Sequence, residues 1–278
     1  MTIKLSSNAK INLALSINHK RADGYHDISS IMQEIDLSDV IEVTKNDSDK
    51  INITSKGIKV PEDDSNLCYI ATTILFAKYN IFHGIDIRID KQIPIGAGLG
   101  GGSSNAATVI KGLSKLFDIK LKNDIFYKIC SDIGADVAFF YNGGMQYARG
   151  IGNKLTQLSP LLHNYYFLLI LPNIEISTPW AYSKYKKYLE NQSNPSNFLP
   201  LSDNIDWSLW RNDFEKVVLS TYPEIKAIKS GLQNTNSLFV SLSGSGSTMF
   251  GVYDNLESVS NAQDLFKDFQ TYISLPVY

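Results

Sequence analysis

Apolar and polar residues alternate along the N-terminal part of the chain in the way that half-buried β-strands require. In KINLALSI (10–17) every second residue is a large apolar one, so Lys10 and Asn12 project together from the opposite face. The stretches DVIEVTK, INITSK and IDIRID are typical of further strands. This half is therefore predicted to contain a sheet that carries a lysine and an asparagine side by side.

Helical spacing of apolar residues appears twice in the same half. The first helix is expected after the turn-rich VPEDDSN, beginning at Leu67, with Asn66 placed to cap it. The second is expected directly behind the glycine-rich PIGAGLGGGSSNAA (94–107), with Ser103 or Ser104 as its cap. The glycine-rich segment is therefore predicted to be a loop that opens a helix.

The C-terminal half has a clearer order of elements. A buried strand, YYFLLILP, is followed by helical segments from about Trp180 to Leu232, then by SLFVSL, the turn SGSGS and TMFGVY. A helix near Leu256–Phe269 and a last strand, TYISLPV, complete a β–α–β–β–α–β plan of the ferredoxin-like type. The polar, proline-containing NQSNPSNFLPLSDN (191–204) is expected to be a surface loop or insertion.

Composition and charge exclude several classes of function. Lys and Arg number 26 against 28 Asp and Glu, a net charge of −2, and no basic stripe is visible, which argues against nucleic-acid binding. No apolar run approaches the ~20 residues that span a bilayer, and MTIKLSSNAKINLAL lacks the plan of a secretory signal. Cys68 and Cys130 stand in apolar helical patterns without metal-ligand spacing, so free thiols and a cytoplasmic location are expected.

The glycine-rich loop is the strongest candidate for chemistry. Five glycines lie between Gly96 and Gly102, and a loop of this kind before a helix binds anions through its backbone amides and the helix dipole. A dinucleotide fingerprint would need an acidic residue at the end of the next strand, and the segment after Asp118 is typical of a helix-to-helix connection. The loop also lacks the Gly-Lys-Ser/Thr of a Walker A motif and the lysine and H-R-D of protein kinases. Another kind of phosphate site is therefore indicated.

PIGAGLGGGSSNAA resembles the second signature of the GHMP kinases, the superfamily of galactokinase, homoserine kinase and mevalonate kinase. AKINLAL with RADGYHDISSIMQEIDLSD resembles the first motif region, and LSGSGSTMFG (242–251) resembles the third. DGYH, GADVAFF and ARGIGNKL make the likeness closer to the members that phosphorylate the 2-hydroxyl of 4-diphosphocytidyl-2-C-methyl-D-erythritol. The resemblance extends from about Ala9 to Gly251.

The resemblance implies an α+β GHMP-kinase fold with two domains. Residues 1–155 would form a mixed α/β ATP-binding domain and residues 156–278 a ferredoxin-like substrate domain, with the active site in the cleft between them. ATP is the implied co-substrate, with Mg²⁺ whose protein ligands are unknown. Its adenine would lie near Asn66 and Lys91, and its phosphates would lie against the loop. The loop residues implied to bind ATP are Pro94, Gly96, Gly98, Leu99, Gly100, Gly101, Gly102, Ser103 and Ser104. For Asn66, a purely structural role as helix cap stays equally open.

The resemblance also implies the catalytic pair. Asp136 in GADVAFF matches the catalytic aspartate, which would accept the proton of the hydroxyl. Lys10 matches the partner lysine, which would keep the aspartate ionised and offset charge on the phosphoryl group. From the residues alone, Asp136 would be a turn cap and Lys10 a surface lysine. Ala138 replaces a proline that is usual in the family, which loosens this turn and leaves the carboxylate in place.

The substrate residues implied by the resemblance are Asn12, Tyr25, His26 and Tyr182. Tyr25 and His26 in DGYH match the cytosine-recognition pair, although a YH after a D-G turn can be an ordinary hairpin tip. Tyr182 falls where the family usually has a phenylalanine that stacks on the base. SGSGS (243–247) matches the motif that packs against the phosphate loop.

The expected protein is therefore an ATP-dependent small-molecule kinase that acts on a cytidine diphosphate alcohol, as a monomer or weak homodimer. Another GHMP kinase, such as a homoserine or mevalonate kinase, is the nearest alternative, and DGYH with MQEIDLSD argues against it. An NAD(P)-dependent oxidoreductase and a non-catalytic nucleotide-binding relative are further alternatives. The presence of both Asp136 and Lys10 disfavours the latter.

Overall fold

The computed structural model describes residues 1–189, 198 and 205–278, and these form two compact units. The first unit comprises residues 1–9, 37–95 and 100–142, and the second comprises residues 10–36, 96–99 and 143–278. The predicted loop 191–204 lies outside the described residues, apart from Phe198. The chain order of the elements is β1 (Thr2–Lys20), β2 (His26–Asn46), β3 (Ile51–Gly57), α1 (Leu67–Tyr79), β4 (Gly84–Lys91), α2 (Gly101–Leu116), α3 (Asn123–Ile133), α4 (Phe139–Asn142), β5 (Met145–Gly150), β6 (Lys154–Gln157), β7 (Tyr166–Leu171), α5 (Thr178–Leu189), α6 (Glu215–Thr221), α7 (Pro223–Gln233), β8 (Phe239–Leu242), β9 (Met249–Tyr253), α8 (Leu256–Gln263) and β10 (Gln270–Ser274).

In the first unit, helices pack beside strands that the sequence pattern predicts. The end of β2 pairs antiparallel with β4, from Val40 opposite Asp90 to Asn46 opposite Gly84. β4 pairs parallel with β3, and the crossover between these two strands carries α1, as parallel neighbours require. α1 contacts both α2 and α3.

The starts of α1 and α2 differ in how they are capped. The Asn66 side chain accepts a hydrogen bond from the Cys68 amide at 2.8 Å, so the predicted cap of α1 is confirmed. The predicted serine cap of α2 is wrong. Gly100 occupies the cap position with φ +70°, and Ser103 and Ser104 already lie inside the helix. Glycine adopts this left-handed conformation without the steric cost of a Cβ, which is why the chain begins the helix there.

The second unit contains the predicted β–α–β–β–α–β arrangement. Its four-stranded sheet has the order β10-β7-β9-β8 with every neighbour antiparallel, which confirms the ferredoxin-like plan. Leu168 and Ile170 of β7 are fully buried in a core with residues of α5, α6, α7 and α8. The same unit includes the start of β2, which pairs with β5, and the β5–β6 hairpin.

These elements confirm the predicted α+β class, with strands in two separate sheets. The division at residues 155/156 stays a prediction; this position falls within β6. Among the described residues, no helix is long and apolar enough to cross a membrane.

Candidate active site

The glycine-rich loop uses its glycines for backbone conformations and for close approach. Gly96, Gly98 and Gly100 have φ values of +65°, +78° and +70°, all in the left-handed region. A Cβ on Gly98 would collide with the carbonyl oxygen of Ser243. The Leu99 carbonyl accepts the backbone amide of Lys10 at 3.0 Å, so the loop is also fixed to β1. The backbone therefore reaches a position that only glycine allows.

The first turn of α2 offers backbone donors. No side chain caps this helix, and the first turn of any α-helix leaves amides without intrahelical acceptors. Together with the positive end of the helix dipole, such amides bind phosphate oxygens well. Ser103 is half-buried, whereas Ser104 is buried and its hydroxyl is hydrogen-bonded to that of Ser7 at 2.8 Å. Of the two predicted serine contacts, Ser103 is thus the more accessible.

The turn Ser243–Ser247 lies against the glycine-rich loop, within the second unit. The Ser243 hydroxyl donates to the Gly98 carbonyl at 2.9 Å, and the Thr248 amide donates to the Ala97 carbonyl at 3.3 Å. Asn212 secures the turn from its other side, because its Nδ2 donates to the carbonyl oxygens of Leu242 and Gly244 at 2.7 and 2.8 Å. Sequence reasoning gave Asn212 no role, since its partners are about 30 residues away in the chain.

Lys10 and Asn12 are buried rather than solvated. Their exposed fractions are 4% and 3%, and the Lys10 ammonium donates to Asn12 Oδ1 at 2.5 Å. The backbone amide of Asn12 lies 3.4 Å from the Ser243 hydroxyl. The structure therefore brings both predicted residues of β1 to the glycine-rich loop and to the third motif.

Asp136 lies in the first unit, on a short 3₁₀ turn formed by Ala135–Val137 directly after α3. The turn is closed by a hydrogen bond from the Val137 amide to the Gly134 carbonyl at 3.2 Å. The Asp136 side chain is half-buried. Lys10 belongs to the other unit, and the pairing of these two residues stays a prediction.

Lys91 is held in a buried ion pair in the first unit. Its ammonium contacts Asp39 at 2.5 Å, and the exposed fractions of the two side chains are 2% and 0%. Burial lowers the pKa of Lys91, and the charge and hydrogen bond of Asp39 oppose that shift. Asp39 also accepts from the amides of Gln92 and Ile93 at 2.7 and 2.8 Å and from Asn105 Nδ2 at 2.7 Å. Sequence reasoning missed Asp39, although it stands in the EIDLSD segment of the first motif region.

The two predicted adenine contacts therefore already have protein partners. Lys91 is paired with Asp39, and Asn66 uses its carbonyl oxygen for the Cys68 amide and its Nδ2 for the Pro61 carbonyl at 2.6 Å. A Cβ on Gly101 would lie 2.8 Å from the Lys91 ammonium, so the Lys91–Asp39 ion pair packs closely against the first residue of α2. Direct contact of either side chain with ATP stays a prediction.

Two of the three predicted substrate aromatics, His26 and Tyr182, come together in the second unit. The rings of His26 and Tyr182 are stacked, with centroids 4.7 Å apart and an interplanar angle of 11°. Tyr25, which precedes His26 in the chain, is 62% exposed. Burial lowers the pKa of His26, and the positive charge of Lys20 adds to this effect. A neutral imidazole has one donor and one acceptor nitrogen, which suits recognition of a base edge.

Known proteins share both halves of this architecture. The model of the GHMP kinase N-terminal domain matches residues 66–144, and that of the C-terminal domain matches residues 195–269. A 4-diphosphocytidyl-2-C-methyl-D-erythritol kinase of Caldicellulosiruptor bescii is 36% identical over 96% of this chain and 95% of its own. The chain belongs to the GHMP kinases. The protein of the same name from Clostridioides difficile is also 36% identical, over 98% of this chain and 94% of its own.

Solved structures agree with the placement among the GHMP kinases. A crystal structure of 4-(cytidine 5'-diphospho)-2C-methyl-D-erythritol kinase has a TM-score of 0.83 and 26% identity, over 99% of this chain and all of its own. A homoserine kinase of Cytophaga hutchinsonii has a TM-score of 0.78 at 20% identity, over 99% of this chain and 95% of its own, and shows the shared fold. The resemblance to the GHMP kinases is thus confirmed, and ATP is the phosphoryl donor of this family.

Proposed function

We propose that this GHMP kinase transfers the γ-phosphoryl group of ATP to the 2-hydroxyl of 4-diphosphocytidyl-2-C-methyl-D-erythritol, a step of non-mevalonate isoprenoid precursor biosynthesis. The observation that carries the proposal is the 36% identity, over nearly the whole chain, to relatives that bear this name. The uncapped start of α2 and the His26–Tyr182 stack support the proposal, because they would provide phosphate recognition and base recognition respectively.

The glycine-rich loop would hold the phosphates of ATP. Positive φ values at Gly96, Gly98 and Gly100 would let the backbone approach the phosphates closely, and the amides of Gly101, Gly102 and Ser103 open α2. Leu99 and Pro94 would complete the loop contacts. Backbone donors fixed in this way stabilise the charge that develops during phosphoryl transfer.

In the reaction, the Asp136 carboxylate would accept the proton of the 2-hydroxyl. The hydroxyl oxygen would bond to the γ-phosphorus while the bond from that phosphorus to the β,γ-bridging oxygen breaks, which gives ADP and the 2-phosphate. The Lys10 ammonium would offset negative charge on the transferred group. Asn12 would bind the substrate beside Lys10.

Mg²⁺ would enter with ATP. Within the described ranges, no three His, Cys, Asp or Glu side chains are grouped as metal ligands. In kinases Mg²⁺ is bound mainly by phosphates and water, with one or two carboxylates. Ser103 would hold it through water. When bound, the ion neutralises charge on the phosphates.

The cytosine base would be recognised by the aromatic residues of the second unit. The exposed ring of Tyr25 and the ring of Tyr182 would stack on the base, and His26 would hydrogen-bond to its edge. We further propose a cytoplasmic enzyme that acts on small molecules, without nucleic-acid or membrane partners, as a monomer or weak homodimer.

The test is ADP release by the purified protein with Mg–ATP and 4-diphosphocytidyl-2-C-methyl-D-erythritol, with homoserine and mevalonate in parallel. Turnover with the cytidyl substrate alone is expected, together with a loss of at least ~10²-fold in Asp136→Asn and little change in ATP affinity. Activity with another alcohol would refute the substrate. Near-native turnover of Asp136→Asn would refute its role as base, and thermal stabilisation by NAD(P) rather than Mg–ATP would favour an oxidoreductase.

A further inference from the structure

Three buried polar side chains form a continuous hydrogen-bonded chain in the second unit. Lys10 Nζ donates to Asn12 Oδ1 at 2.5 Å, and Asn12 Nδ2 donates to Ser30 Oγ at 2.8 Å. Ser30 Oγ in turn donates to the backbone carbonyl of Ala14 at 2.7 Å. Ser30 is on β2 and is fully buried. This series of hydrogen bonds therefore extends from the Ala14 carbonyl of β1 to the Lys10 ammonium.

Proton counting along this chain fixes every donor and acceptor. A carbonyl oxygen only accepts, so the single hydroxyl proton of Ser30 is used on Ala14, and the hydroxyl oxygen is left as an acceptor. Asn12 must then turn its NH₂ group toward Ser30, which directs Oδ1 the other way. An ammonium group only donates, so Oδ1 is what Lys10 requires. Both ends of the chain select the same orientation of the Asn12 carboxamide.

Without the Ser30 hydroxyl, no acceptor at that end of the series favours the present orientation of the Asn12 carboxamide. The Asn12 NH₂ group would be buried without its acceptor, a situation that buried polar groups avoid. A rotated carboxamide would bring NH₂ toward the Lys10 ammonium, donor against donor. The Lys10 ammonium would then lose its bond to Asn12 Oδ1 and shift, although the Lys10 backbone amide stays bonded to the Leu99 carbonyl.

We propose that Ser30 is a positioning residue that acts through the carboxamide of Asn12 to hold the Lys10 ammonium in place for phosphoryl transfer. The inference rests on the proposed role of Lys10 in the reaction. Ser30 is fully buried, so it would not touch ATP or the alcohol itself. Its removal should therefore lower kcat, because displacement of a catalytic group by about 1 Å can cost ~10²-fold in rate, and should change KM for ATP little.

The experiment compares Ser30→Ala with Ser29→Ala in the full-length protein. Ser29 is a matched control, because it is a 5% exposed serine of the same strand whose hydroxyl is the acceptor for Asn18 Nδ2 at 3.1 Å. Ser30→Ala is expected to lower kcat ~10- to 100-fold with KM for ATP within about twofold, and Ser29→Ala to keep kcat within about threefold. Equal losses in both variants would overturn the proposal. If Ser30→Ala does not fold, Ser30→Cys takes its place, since the thiol keeps the volume and is only a weak acceptor.

Two further measurements separate this proposal from the role of Lys10. Lys10→Met is assayed in parallel; retained turnover would refute the role of Lys10 and the proposal with it. Lost turnover in Lys10→Met beside native kcat in Ser30→Ala would overturn the Ser30 proposal alone. The second measurement does not need turnover: the Asn12 side-chain NH₂ signals, identified by their loss in Asn12→Asp, should shift in Ser30→Ala and not in Ser29→Ala. Unchanged signals in Ser30→Ala would contradict the proposed chain.

Discussion

The hydroxyl of Ser243 donates to the carbonyl oxygen of Gly98 at 2.9 Å, across 145 positions of sequence. The two residues belong to the third and second motifs that resemble those of the GHMP kinases. Their contact is so close that a side chain at position 98 has no room beside the Ser243 carbonyl. The glycine-rich loop is thus shaped by a turn from the C-terminal part of the chain.

Gly98→Ala is expected to raise KM for ATP by at least ~10-fold and to lower the melting temperature. The added Cβ meets the Ser243 backbone, and φ is +78°. Gly150→Ala is the matched control, because φ is +69° there and the nearest atoms are flexible side-chain ends of Asn153 and Lys154. Steady-state kinetics and thermal unfolding check both variants. A change in KM of the same size in Gly150→Ala would show that the effect is general strain.

Asn212→Asp is expected to destabilise the protein by about 2–4 kcal/mol, because a carboxylate would face the Leu242 and Gly244 carbonyls that now accept from Nδ2. Asn255→Asp is the control. Asn255 caps α8 by accepting from the Ser258 amide, a role that aspartate keeps, and its Nδ2 donates to Asp254 at an exposed position, where the loss of this bond costs little. Urea unfolding measures the two free energies. Equal stability of both variants would contradict the donor role of Asn212.

Lys91→Met and Asp39→Asn are each expected to cost about 3–5 kcal/mol, because either leaves a buried charge without its partner. The double variant should cost less than the sum of the two, since neither charge then remains. Chemical denaturation of the three variants gives the coupling free energy, and strict additivity would count against the pair. Lys56→Met is the control for an exposed ion pair, with Asp90 at 3.7 Å, and should change stability little.

The His26 side chain is expected to titrate below 6.5, the ordinary pKa of histidine, because burial and then the charge of Lys20 disfavour its protonated form. Between pH 6.5 and the lower pKa of His26 in the folded protein, the unfolded chain binds a proton that the folded protein still excludes. The free energy of unfolding therefore decreases as the pH falls through this range. NMR titration of the imidazole measures the midpoint. Tyr182→Ala should raise it more than Lys20→Gln does, because burial is the larger cause. A midpoint at or above 6.5 in the unmodified protein would contradict the expectation.

Local pattern predicts the elements of this fold well, and contacts between distant segments much less. The strands of the ferredoxin-like sheet follow from continuous apolar runs, and the Asn66 cap follows from a residue type beside a helical pattern. The serine cap of α2 failed because the choice depends on a glycine conformation, φ +70° at Gly100, which letters alone do not fix.

At the candidate site, too, local features can be predicted from the sequence, and contacts between distant segments cannot. The glycine-rich loop is evident from composition, and family resemblance brought His26 and Tyr182 to attention before their rings were found stacked. Asp39 was missed because its partners Lys91 and Asn105 lie 52 and 66 positions away in the chain. The proposed role of Ser30 depends on which side chains donate and which accept hydrogen bonds. The periodicity of apolar residues carries no information about this.

The path of the chain through the two compact units bears on how the protein is made. The chain passes from one unit to the other at residues 9/10, 36/37, 95/96, 99/100 and 142/143. Every segment of the first unit has therefore been synthesised once residue 142 has left the ribosome. The second unit begins at residue 10 and still awaits most of its residues at that moment. A nascent chain of this enzyme thus carries residues 10–36 throughout the synthesis of residues 37–142, before the other strands and the helices of their own unit exist.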